Sequence, residues 1–149
     1  MRFLALDEFS CYEDDLELFT IEYEGTFSYS NIIDEYSERF NRSNTNLSSL
    51  NDKVRKMTRK LELFFEKFDD INNETTVTGK NLLILEGLFL AFSKLNLLEK
   101  NEKISYFDIV EKIKNNEDVK QYIQQSTSSK GNVKNRIEQI IILVKKGIV

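Results

Sequence analysis

The chain has no proline, no histidine and no tryptophan, with 1 cysteine and 5 glycines among 149 residues. Without proline nothing breaks a helix interior, and with so few glycines little weakens one. Without histidine the commonest general base, metal ligand and triad member is missing. The lone Cys11 excludes an intramolecular disulfide and any cysteine-rich zinc site. It also stands among acids, whose charge disfavours the thiolate that a nucleophile needs. No apolar run is long enough to span a bilayer, since the longest, residues 82–92, is interrupted by Glu86. No signal-peptide pattern opens the chain, because Met1 to Leu6 is a short apolar stretch and acids follow at once. The expected location is the cytoplasm.

What the chain does have is helical rhythm. Leu47, Leu50, Val54, Met57, Leu61, Phe64, Phe68 and Ile71 follow one another at spacings of 3, 4, 3, 4, 3, 4 and 3. That is a heptad seam along one long helix. Asn46 is placed to cap it, and Asn72-Asn73 to end it. An earlier helix is expected over 28–42, with Ile32, Ile33, Tyr36 and Phe40 inward. The segment Asn81 to Leu98 is apolar almost all round, which predicts a central helix covered by others. Ser105 with Asp108 resembles a capping box opening a helix that buries Ile109, Val110 and Ile113. Asn116 is expected to cap a short helix holding Val119, Tyr122 and Ile123. The loop 126–132 precedes a last helix from Val133 to Lys146, with Gly147 where a terminating glycine belongs. The acidic segment 7–27 is ambiguous: Leu16, Phe19 and Tyr23 keep helical spacing, while Phe19, Ile21 and Tyr23 alternate like a strand. The expectation is one all-α domain over 1–149, a bundle of five to seven helices around Asn81 to Leu98, with 1–27 as its least regular part.

Charge is unevenly spread. Residues 1–40 hold eleven acids against Arg2 and Arg39, a net of −9, while 41–149 hold nineteen bases against fourteen acids, a net of +5. Asp14, Asp15 and Glu17 are therefore candidate contacts for a basic protein partner. Lys53, Arg55, Lys56, Arg59 and Lys60 flank the seam and are candidate contacts for a phosphate backbone. The competing reading of those bases is the solvated face of an amphipathic helix, with Glu62 and Glu66 one turn away. Lys130, Lys134 and Arg136 make a weaker second patch.

Known site motifs do not fit. Asp14-Asp15 and Asp69-Asp70 are adjacent pairs, and neighbours on a helix point about 100° apart, so neither pair is a metal site by itself. Thr78-Gly79-Lys80-Asn81 lacks the first glycine and the hydroxyl residue of a phosphate loop. No cofactor, no metal and no catalytic residue is expected, and the chain does not read as an enzyme.

Three segments, RFLAL at Arg2–Leu6, KNLLILEGLFLAFSKL at Lys80–Leu95 and NVKNRIEQI at Asn132–Ile140, together resemble one family. In that order they are similar to the helical C-terminal part of the GmrS-like, DGQQR-motif proteins. These are restriction and phage-defence proteins with a ParB/sulfiredoxin fold. The family's DGQQR region, which binds nucleotide and cuts DNA, has no counterpart in this chain, and no HNH nuclease part is present. No catalytic residue carries over. The resemblance implies a non-catalytic helical module that supports or regulates a nuclease and contacts DNA. A second reading is a stand-alone phage or mobile-element regulator acting through its acidic N-terminal face. A third is a weak nucleic-acid binder resting on Lys53 to Lys60.

Overall fold

The computed structural model of the chain describes residues 2–8, 10–13, 18–21, 28–42, 47–72, 75, 77–124 and 129–148. Its elements in order are α1 (Arg2–Glu8), β1 (Ser10–Glu13), β2 (Leu18–Ile21), α2 (Tyr29–Arg42), α3 (Leu47–Phe65), α4 (Gly79–Lys94), α5 (Tyr106–Lys114), α6 (Glu117–Gln124) and α7 (Lys130–Lys145). The class is all-α. Among the described residues the departures are the antiparallel pair β1–β2, with Ser10 opposite Ile21 and Glu13 opposite Leu18, and a single parallel bridge between Phe68 and Ile104. The alternating reading of Phe19 and Ile21 therefore prevails over the helical one there.

α4 lies at the centre. Every residue from Ile84 to Phe92 is buried, so no side of the helix faces water. α7 packs along it, and α3, α5 and α6 also touch it. The close approach of α7 needs Gly87. A Cβ there would overlap Ile140 Cδ1 and stand 3.4 Å from both Ile140 Cβ and Cγ1. Aromatic rings lock α3 to the same core, with Phe64 edge-on to Phe89 at 5.5 Å and to Phe92 at 5.6 Å. One continuous cluster runs from Leu4 to Val144, so the described residues share a single core.

Four boundaries differ from the sequence reading. The stretch Met1 to Leu6, read as an apolar scrap, belongs from Arg2 onward to α1, which buries Leu4, Ala5 and Leu6. It is held by α2 and by an edge contact of Phe3 with Phe89 at 5.1 Å. The seam does not continue as helix to Ile71. α3 stops at Phe65, because the backbone of Lys67 and Asp69 is taken by Ile104: Ile104 N donates to Lys67 O at 2.9 Å and Asp69 N to Ile104 O at 3.2 Å. α4 stops at Lys94 rather than Leu98. Asn96 adopts a left-handed φ of 54°, and Leu97 N reaches back to Phe92 O at 2.9 Å. That is a helix-terminating turn with asparagine in the place usually held by glycine. Gly147, at φ 78°, ends α7 in the same way, as its position predicts. α7 itself starts earlier than Val133, since Ser129 caps it by accepting from Asn132 N at 3.3 Å.

Gly87→Ala tests the α4–α7 approach. Alanine gains about 1 kcal/mol in helix propensity, but overpacking against Ile140 costs about 1–3 kcal/mol. The expected net effect is destabilisation of up to about 2 kcal/mol. In an Ile140→Val background, where Cδ1 is gone, the same change should become neutral or stabilising by up to about 1 kcal/mol. A double-mutant cycle by urea unfolding measures this, and additive effects would refute the approach.

Candidate functional site

The bases singled out from the sequence all lie on α3 and behave differently from one another. Arg55 pairs with Asp52 at 3.0 Å and Arg59 with Glu62 at 3.4 Å, both on the helix surface. Lys60 leaves the helix face and pairs with Asp7 of α1 at 2.9 Å, which ties the two elements together. Lys53 is half-buried and engaged within the chain, and Lys56 is exposed. The intrahelical ion pairs agree with the solvated-face reading for Arg55 and Arg59. Exposed pairs of this kind add little to stability.

The seam on the same helix is divided. Its inner half is buried at Met57, Phe64 and Phe68. Its outer half is not: Leu50 is half-buried and Val54 is 44% exposed. Val54, Thr58, Leu61 and Phe65 fall at spacings of 4, 3 and 4, which places them on one face. Phe65 is 38% exposed, and the Thr58 hydroxyl is bonded back to Val54 O at 2.9 Å. This face runs beside the buried one, with exposed apolar surface at Val54 and Phe65, exposed Thr58 between them and Leu61 half-buried against the core. From Phe65 a file of edge-to-face rings passes through Phe64, Phe68 and Tyr106 and resurfaces at Phe107. Phe107 is 54% exposed. Sequence reasoning treated the seam as uniformly inward, and heptad spacing alone could not say which half would be covered.

Asp69-Asp70 is not a metal pair. The Asp70 carboxylate closes the N-terminus of α5, accepting from Tyr106 N at 2.6 Å, Phe107 N at 3.1 Å and Ser105 Oγ at 2.7 Å. Ser105 Oγ in turn accepts from Asp108 N at 3.1 Å, so half of the expected capping box forms and Asp70 supplies more. Burial by itself would raise the Asp70 pKa. The hydrogen bonds from Ser105, Phe107 and Tyr106 outweigh it and hold the carboxyl below the usual aspartate range. Beside it, burial pushes the Tyr106 phenol up, with the Asn81 side chain opposing and the Asp70 charge reinforcing. The Tyr106 hydroxyl has no partner in hydrogen-bonding geometry, so Asn81 acts there only as a nearby dipole.

The second basic patch does not survive folding. Arg136 is wholly buried and donates to Tyr122 O at 3.3 Å, while Lys134 lies 3.5 Å from Glu138. Asp14, Asp15 and Glu17 lie outside the described residues. Among the described residues no group of three or more carboxylates or thiols is arranged to hold a metal ion, and no helix is long and apolar enough to cross a membrane. Comparison with family models, curated proteins and solved structures gives no match to this chain.

Asp70→Ala should cost about 1–2 kcal/mol at neutral pH through loss of the α5 cap. The folded pKa is lowered, so this contribution is complete above the ordinary aspartate pKa and is lost as pH falls through the folded value. Urea unfolding at a series of pH values should therefore show wild type and variant converging in acid. A gap that stays constant across that range would contradict the assigned role.

Proposed function

We propose that this chain is a non-catalytic helical module that docks on another protein through the outer half of α3. The setting is the one implied by the resemblance to DGQQR-motif restriction and phage-defence proteins, in which the module supports or regulates a separate nuclease part. The observation that carries docking is the strip of Val54, Thr58, Leu61 and Phe65, exposed at both ends. Single exposed apolar residues are ordinary, but several aligned at heptad spacing form a face that a second helix fits. Residues 47–60 carry five bases and only Asp52 as an acid. The complementary partner is therefore an amphipathic helix with acidic flanks.

A phosphate backbone ranks second as a partner. Arg55, Lys56 and Arg59 are exposed, but two of these three are engaged with Asp52 and Glu62. Those ion pairs would have to be exchanged for phosphate contacts.

The test is co-purification with a DGQQR-bearing protein, taken from the genome that encodes this chain if one lies beside it. A complex is expected that Val54→Glu with Phe65→Glu breaks while the melting temperature of the isolated module stays within a few degrees of wild type. Arg55→Gln with Arg59→Gln should slow association and leave the complex otherwise intact. The isolated chain should show no nuclease turnover with Mg²⁺ or Mn²⁺. The reading fails if the strip substitutions leave the complex unchanged. It also fails if the chain alone binds duplex DNA tightly, with a steep salt dependence that the arginine changes flatten.

A further inference from the structure

Beyond the α3 strip, the described residues contain a buried cation that the docking reading does not use. Lys67 follows α3 directly and is 5% exposed. Its ammonium donates to the backbone oxygen of Lys100, and no ion pair to it occurs among the described residues. An ammonium has three donors, so two remain beyond this bond. Burial pulls it below the usual lysine range; Glu102 opposes this, while Lys103 and Lys100 add to it. A buried charge without a counter-ion is a cost to the fold that an anion would relieve.

The space for that anion is present. A hollow of about 170 Å³ opens beside Lys67, walled by Phe92, Leu97, Ile104 and Val144. It is smaller than the ~300–1,000 Å³ pockets that enclose drug-sized ligands, so its occupant is small. Lys100 and Glu102 stand at the same hollow, which makes its charged groups two cations and one anion. A single negative charge matches that balance, and a dianion would meet Glu102 as a repulsive neighbour. Most of the wall is apolar, so the charge must come attached to a hydrocarbon body.

We propose that this hollow binds a small organic monocarboxylate, with Lys67 taking the carboxylate and Phe92, Leu97, Ile104 and Val144 enclosing the hydrocarbon part. Two features place it there: more of the lining is apolar than polar, and the Lys100 carbonyl holds the buried Lys67 ammonium at the hollow, where a carboxylate would meet a charge-assisted donor. The site is separate from the α3 strip, because none of its lining residues belongs to Val54, Thr58, Leu61 or Phe65. The two proposals therefore stand or fall separately.

The experiment is a methyl NMR titration of the full chain with benzoate, benzyl alcohol and inorganic phosphate. Benzoate should shift the Leu97, Ile104 and Val144 methyl signals saturably, with a millimolar dissociation constant. Benzyl alcohol, which has the body without the charge, should bind about tenfold more weakly or worse. Phosphate, which has charge without the body, should leave these methyls unshifted. Lys67→Met should weaken benzoate by about tenfold or more. Leu97→Trp, which fills the hollow from a half-buried position and keeps Lys67, should abolish the shifts. If Lys67→Met does not fold, the benzoate–benzyl alcohol difference and Leu97→Trp decide the matter. Equal binding of alcohol and carboxylate, equal binding of phosphate, no saturable shift, or full retention in Leu97→Trp would each overturn the proposal.

Discussion

A helix that is apolar on every side exists in water only where other elements cover all of it, and α4 is such a helix. Its nine consecutive buried residues, Ile84 to Phe92, determine where the rest of the chain must go. α7 packs along α4 with the Ile140 side chain seated over Gly87, where a Cβ would overlap Ile140 Cδ1. Phe64 of α3 and Phe3 of α1 fill other sides with edge-on rings. Each ring pair contributes about 0.5–1.5 kcal/mol beyond the area that it buries. Glu86 is buried within the same run, and Arg136 is buried on α7; both are engaged with partners in the chain.

Once α4 is covered, the chain around it must be turned back sharply at both ends. At the C-terminal end Asn96 does this with a left-handed backbone, and the following residues, 97–104, return towards the end of α3. There Ile104 pairs with the backbone of Lys67 and Asp69, and Asp70 closes α5. Five polar interactions in one place thereby fix the end of one helix and the start of another. The same return leaves the hollow beside Lys67, because a chain committed to pairing at Ile104 cannot also fill the space above Phe92 and Val144. The hollow follows from the backbone pairing and from no pattern of side chains.

That distinction also marks what was legible in the sequence. The central helix, the buried positions of α5 and α6, Ser105 and Asn116 as caps and Gly147 as a stop all express local chemistry, and local chemistry is written in neighbouring residues. The errors came from distant partners. Nothing near Phe65 ends a helix; Ile104, far along the chain, does so by taking its backbone groups. Asp70 looked like half of an acidic pair because its ligands, Ser105 to Phe107, are remote in sequence. Arg136 looked like part of a surface patch because periodicity does not report that Tyr122 O lies within its reach. Met1 to Leu6 was too short for a helical period to be recognised, and α1, from Arg2, is held by contacts with α2 and Phe89 that are remote in sequence.

The charge on α3 bears on what that helix is for. Exposed ion pairs such as Arg55–Asp52 and Arg59–Glu62 contribute at most about 1 kcal/mol each, and salt screens them further. Lys60, reaching Asp7 of α1, joins two elements of the fold. Arg55 and Arg59, paired within their own helix, do little to hold the bundle together. Neither does Val54, which leaves much of its surface in water while Met57, one turn on, is buried. In the docking proposed for α3, the cationic part would draw an acidic surface in over a distance of about the Debye length, ~8–10 Å at ordinary salt, and the apolar part would retain it after contact. A partner helix carrying acids beside an apolar seam would satisfy both. It would also complete for the outer half of the heptad what α4 already does for the inner half.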